Sequence, residues 1–369
     1  MTKRKDRNSS IELLRILTMF TIVMHHYAYH GTFYWQTFNP QTVGALRVNA
    51  FLQYFGKTGV AIFVMIGAYF LCEKKFNFYR PINLLLTMMF YSFLIYIVLR
   101  IFYPQAIWMH GWINMLLPFP LPSGYWFVYS YLLMLGAMPF LNIIISHLKS
   151  RQLLLLICLM TITWSFLVIG IWLFSNKPDT EPDSFGYSYG TYFWLLYLVA
   201  AYLRKYSGKH LNSARFTGIS ALLSMILLAL FTLLIHSQHT SNGVLDFCDL
   251  NSPFVLLTSV FTFSFFKNLH FHSPIINYLA GSMFGVYLIH EDSFIRPLVW
   301  HNLISSAKVA HSAMLYVGQA IGFSLLVFIA CVLIDIIIRR LLIAKPLQRF
   351  SIWLNKWITN RVILFVNGK

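Results

Sequence analysis

Between residues 11 and 338 the chain passes through one apolar run after another, most of them near the roughly 20 residues a helix needs to cross a bilayer. In hydrocarbon the backbone polar groups find no water, so only helices and closed barrels can span it. Barrel strands alternate polar and apolar residues over about ten positions. The runs here are longer and continuously apolar, so the expected fold is all-α: a polytopic membrane helix bundle of about ten transmembrane helices. The composition agrees. Hydrophobic residues make up 58% of the 369 and charged residues 11%, which excludes a soluble enzyme.

The spans are expected at about 11–29, 52–72, 82–103, 125–146, 153–174, 190–203, 216–236, 251–266, 274–290 and 312–338. Gly56, Gly59 and Gly67 in the second would let a neighbouring helix approach closely. A Pro- and aromatic-rich loop at 104–124 has the makings of a re-entrant segment. The first run contains Arg15 and no small-residue cleavage site, so it reads as a retained helix rather than a signal peptide. Cys72, Cys158, Cys248 and Cys331 are scattered and point to neither a disulfide framework nor a zinc site.

The net charge is +17, but its placement matters more than its size. Lys and Arg gather in 1–10, 73–81, 147–152, 204–215, 267–273 and 339–369, whereas the alternate loops hold Arg47, Lys177, Arg296 and Lys308. That bias follows the positive-inside rule and predicts both termini in the cytoplasm. It accounts for the basic charge with no nucleic acid as partner. The expected organisation is a cytoplasmic N-terminus (1–10), a transmembrane domain (11–338) and a basic tail (339–369). With Phe350, Ile352, Trp353 and Trp357 among its charges, the tail reads as an amphipathic helix on the cytoplasmic leaflet.

One run carries chemistry. Arg15 and His26 are eleven residues apart, about three turns plus 20°, so they share a helix face roughly 16 Å apart along the axis. His25 sits about 80° off that face and His30 one turn beyond His26. A line of ionisable groups inside a membrane is costly and marks a functional site by default. An Arg15 that snorkels to the headgroups, with interfacial histidines, fits the same pattern. Histidine is the side chain best suited to take a proton from a hydroxyl near neutral pH. If an acceptor hydroxyl approached from outside, His26, in the outer third of the membrane, could take its proton, although composition alone does not single out this reaction. A cytoplasmic acyl-CoA would reach it from the other face, its phosphates met by Arg15, Lys74, Lys75 and Arg80. A basic cytoplasmic loop is also what topology alone produces.

The His290–Glu291–Asp292 run orients the acceptor, supports His26, or is simply the solvated end of a span; for Glu291 the solvated end is the expectation. No spacing demands a metal at His25, His26, His30 and His290. Trp126, Tyr131 and Tyr287 read first as interfacial aromatics and only second as site residues. A transporter or polymerase of lipid-linked glycan remains open. Intramembrane charge beyond the first span is limited to Asp335, Lys57 and Arg100 near helix ends, which argues against a wide aqueous path.

Four stretches, in order, resemble the integral-membrane acyltransferase-three family. RILTMFTIVMHH is similar to its first-helix pattern of an arginine, ten residues, then a histidine. GKTGVAIFVMIGAYFL, WFVYSYLLMLGAMPFLN and FGVYLIHEDSFIRPLVW are similar to its second, fourth and late helices, the last in a Gram-positive-like form. The resemblance implies O-acylation, most often O-acetylation, of a cell-surface polysaccharide or other envelope glycan at a bacterial cell membrane. It implies acetyl-CoA as donor substrate and no permanently bound cofactor. The family histidine carries over to His26, the arginine to Arg15, and the donor-holding basic loop to Lys74, Lys75 and Arg80. His25, His290, Glu291, Trp126 and Tyr131 are supporting candidates. The chain departs from the pattern at Ile66, where serine is usual, and at Tyr131, where some members carry glutamate. The fourth span therefore supplies His26 with no acidic orienter.

Overall fold

The computed structural model describes residues 8–33, 41–106, 125–168, 186–238 and 249–366. Among these, every regular element is a helix. The α-helices longer than one turn are, in order, α1 (Ser9–His30), α2 (Val43–Leu71), α3 (Tyr79–Phe102), α4 (Trp126–His147), α5 (Ser150–Thr161), α6 (Tyr189–Lys205), α7 (Ala214–Gln238), α8 (Pro253–Asn268), α9 (Pro274–Leu279), α10 (Met283–His290), α11 (Ala313–Ile334) and α12 (Ala344–Val366). Several start on a side-chain cap that takes up an orphan backbone N–H. Asn8 accepts from Ser10 N, Ser188 from Thr191 N and Ser312 from Leu315 N.

Six helical stretches among the described residues are long and apolar enough to cross a membrane: Val43–Leu71, Tyr79–Phe102, Trp126–His147, Ser150–Leu167, Ala214–Leu233 and Ala313–Val362. Their burial differs widely and orders the bundle. The most apolar window of α2 is 67% buried, against 11% for Ser150–Leu167. α2 is thus the central post, touching α1, α6, α7, α8 and α11. α1 lies along it. A Cβ at Gly56 would land on the His25 side chain, and one at Gly59 on Thr21 and the Thr18 carbonyl. These two glycines let the backbones come together, as small residues do where helices have no hydrophobic drive to associate. Peripheral helices turn Leu222, Leu223 and Ile226, or Leu325, Leu326 and Ile329, outward. An apolar surface of this kind is costly in water and at home in lipid.

Some boundaries differ from expectation for visible reasons. α2 begins at Val43, earlier than expected, because its first turns are stitched to the bundle. Asn49 Nδ2 donates to Ala28 O (3.0 Å) and to Tyr316 Oη (2.7 Å). The span at 274–290 is two helices joined by a 3-10 turn, Ala280–Ser282. The span from 313 passes through a π-helical stretch, Asp335–Ile343, into α12. α12 packs along α3, with Ser351 Oγ donating to Asn83 Oδ1 at 3.3 Å. The π-helical stretch begins at fully buried Asp335, which accepts from Arg339 at both oxygens (2.6 and 2.8 Å) and from Tyr91 Oη (2.7 Å). Beyond residue 106 the loop at 104–124 lies outside the described residues.

Candidate active site

α1 is continuous from Ser9 to His30, so Arg15 and His26 are carried by one helix, about 16 Å apart in axial rise. Each lines a separate cavity against α2 and α4. The Arg15 cavity is ≈ 260 Å³ and is walled by Arg80, Gly67, Phe70, Leu71 and Tyr131. The His26 cleft is much tighter, ≈ 20 Å³, and is bounded by His25, Lys57, Phe63, Trp126 and Tyr287 among others. Both follow the same seam: α1 runs from the arginine end to the histidine end, while α2 and α4 run the opposite way. About one helical turn separates them. Phe127 fills that gap, edge-on to Phe63 (centroids 5.8 Å apart) and stacked on Tyr131 (5.7 Å).

At the histidine end the polar groups are dry and tightly joined. His26 is 5% exposed, Glu291 2% and His290 0%. His26 Nδ1 lies 2.8 Å from His290 Nε2 and 3.3 Å from Glu291 Oε2. Glu291 also faces His30 Nε2 at 3.4 Å, and its Oε1 accepts from Arg296 Nη1 at 3.2 Å. The expectation that Glu291 is a solvated helix end is therefore corrected. The chain turns back on itself after α10, and Arg296 draws the carboxylate into the bundle toward His26. The acid that α4 lacks comes from the other side of the molecule. Asp292 turns elsewhere, accepting from Tyr125 Oη (3.1 Å) and Phe294 N (2.9 Å).

The remaining candidates separate by what they touch. His25 lines the cleft, but its Nδ1 donates to Gln53 O at 3.0 Å, which ties α1 to α2. Trp126 is a cleft wall, held beneath Lys57, whose ammonium lies 5.7 Å from its ring centre and 2.5 Å from Asp249. Tyr131 lines the arginine cavity, where its hydroxyl closes on Gly67. Of the basic loop, Arg80 reaches that cavity, whereas Lys74 and Lys75 are exposed and do not line it. Arg15 is partly balanced by Glu12, Nη1 to Oε2 3.0 Å. Sequence reasoning missed Arg296, counted as a loop cation, and Lys57, placed merely near a helix end. The one local signal for Arg296 is its spacing five residues beyond Glu291, within reach after a tight turn.

His26, His290 and Glu291 each offer a ligand atom, all within 4.8 Å. Tetrahedral zinc holds its ligand nitrogens roughly 3.3 Å apart, given bonds of about 2.05 Å. The 2.8 Å between the two imidazoles is instead a hydrogen-bond distance. The arrangement is a buried cluster of two imidazoles and a carboxylate beside a narrow cleft, with a separate cationic cavity at the far end of the same seam.

A family model described as an acyltransferase domain (Acyl_transf_3) matches residues 8–338. No curated protein and no solved structure matches the chain.

Proposed function

The chain belongs to this acyltransferase family, and from that premise we propose that it is a membrane O-acetyltransferase that moves an acetyl group from cytoplasmic acetyl-CoA to a hydroxyl of a cell-surface polysaccharide or related envelope glycan. One observation carries this reading: a cavity with two arginines and a cleft with a buried histidine lie end to end along a single helix seam. Arg15 and Arg80 suit the phosphates of coenzyme A, since guanidinium groups pair with phosphate oxygens through paired, charge-assisted hydrogen bonds. The pantetheine arm is long and thin, and the roughly 16 Å of rise between Arg15 and His26 matches its reach. The thioester would then meet His26 beyond Phe127, which requires the Phe127 ring to swing aside and the cleft, here of about one water's volume, to widen.

In the reaction the acceptor hydroxyl gives its proton to the His26 imidazole as its oxygen attacks the thioester carbonyl carbon. The carbon–sulfur bond breaks, and the CoA thiolate takes the proton back from the imidazolium. An ester and free CoA result. Burial serves this step, because water in the cleft would compete for the acetyl group. The lipid bilayer that houses the chain is expected to be a bacterial cell membrane, with the arginine end toward the cytoplasm.

The test uses purified protein in nanodiscs with radiolabelled acetyl-CoA, following free CoA and transferred label. His26→Ala should lower thioester cleavage about 10²- to 10⁴-fold. Arg15→Ala should raise the KM for acetyl-CoA about ten- to a hundredfold, the loss of one charged hydrogen bond. Folded wild-type protein that binds no acetyl-CoA at high micromolar concentration would sink the donor assignment.

A further inference from the structure

Fully buried His290 makes a contact that has only one chemical solution. Its Nδ1 lies 2.6 Å from the Val286 carbonyl oxygen. A carbonyl only accepts, so His290 Nδ1 carries a proton. The opposite nitrogen, Nε2, points at His26 Nδ1 across 2.8 Å. Protonating His290 there too would set a second cation beside Arg296 in a pocket closed to water. His290 Nε2 is therefore a bare lone pair. Two lone pairs do not face each other at 2.8 Å, so His26 Nδ1 bears the hydrogen and donates it. The nitrogen left to His26 is Nε2, on a ring that lines the cleft.

We infer that His290 and Glu291 are positioning residues for His26: His290 fixes the neutral imidazole as its Nδ1–H form, with Nε2 as the base, and Glu291 balances the imidazolium formed when Nε2 takes a proton. This rests on the reading of His26 as base. Glu291 Oε2 is buried and makes no hydrogen bond among the described residues, although His26 Nδ1 is 3.3 Å and His30 Nε2 3.4 Å away. A carboxylate oxygen held in reserve beside a ring that is to become positive is an arrangement for the charged state, not the resting one. The groups facing His26 are otherwise neutral or cationic: His25 and His30 on α1, Lys57 on α2, Tyr287 and His290 on α10, and Arg296 beyond it. Glu291 is the one anion among the described residues that meets it.

The order of the late helix follows from this. His290 occupies the last turn of α10, where its Nδ1 can reach the carbonyl one turn back. Glu291 is the next residue, in the turn that Arg296 folds over. Adjacent residues thus approach His26 Nδ1 from two directions, one to hold the ring and one to meet its charge.

Two variants separate positioning from packing. His290→Gln keeps an acceptor oxygen near the place of Nε2; His290→Leu removes it at similar volume. With ¹⁵N-imidazole-labelled protein in bilayers, the His26 signals, assigned by their loss in His26→Ala, should report Nδ1 protonated and Nε2 bare. In His290→Leu that preference should vanish, and the kcat for acetyl transfer should fall at least tenfold with the KM for acetyl-CoA within twofold. His290→Gln should restore most of the kcat, and Glu291→Gln should lower it with KM unchanged. A wild-type His26 protonated at Nε2 overturns the inference. So does folded His290→Leu with wild-type kcat. If the tautomer is as stated and depends on His290, yet acetyl-CoA is not turned over, the positioning stands and the donor assignment falls.

Discussion

Arg80 is the residue that most clearly divides topology from chemistry. It belongs to a basic loop with Lys74 and Lys75, and charge counting treats the three alike. In the bundle, Arg80 turns into the cavity that Arg15 also lines, and the two lysines stay exposed. Arg80→Ala should raise the KM for acetyl-CoA about tenfold or more, in line with the loss of a charged hydrogen bond. Lys74→Ala and Lys75→Ala should change it less than about threefold, as expected of solvated charges screened by salt. Steady-state kinetics on the three variants decides it; equal effects would place the phosphates outside the cavity. At this scale the sequence spoke well wherever residues share one helix. The eleven-residue step from Arg15 to His26 was readable from helical geometry alone. The contacts of His26 with His290 and Glu291 were not, because they join positions 264 and 265 apart, and no local pattern encodes which helix end meets which.

The α1–α2 pair is the element on which the site depends, since α1 carries both key residues and α2 lines both cavities. At Gly56 the pair leaves no room for a side chain against His25 and its ring. Gly56→Ala would force that ring, the hydrogen bond to Gln53 O and the adjoining backbone to move. Overpacking of this kind costs about 1–3 kcal/mol. The expected result is a lowered midpoint of thermal unfolding in detergent and a lower kcat, because His26 is the next residue on α1. An unchanged midpoint would mean that the two helices separate freely there. The glycines were legible as packing signals. The interruption of the 274–290 span by a 3-10 turn and the π-helical stretch at 335–343 were not. Both depend on a buried partner far away in sequence. Asp335 fills the space that a Cβ on Gly285 would occupy, and Arg339 reaches back to the Gly281 carbonyl at 2.9 Å.

On the scale of the whole molecule, the proposed reaction would take its direction from the two-cavity seam, and direction is a matter of sidedness. The beginning of α1, the end of α2 and the beginning of α3 meet at the arginine cavity; the end of α1 and the start of α4 meet at the histidine cleft. The distribution of Lys and Arg in the sequence predicts that the arginine end faces the cytoplasm. The proposed donor, made in the cytoplasm, and the proposed acceptor outside need that assignment. It can be checked without any activity, by labelling intact cells with a membrane-impermeant maleimide. In a background with Cys72, Cys158, Cys248 and Cys331 replaced by Ala, Lys308→Cys, beyond the histidine end, should react from outside. Lys75→Cys, in the loop at the arginine end, should react only after the cells are opened. The reverse pattern would turn the arginine cavity away from the acetyl-CoA pool, and an acyltransferase oriented so would have to draw its donor from outside the cell.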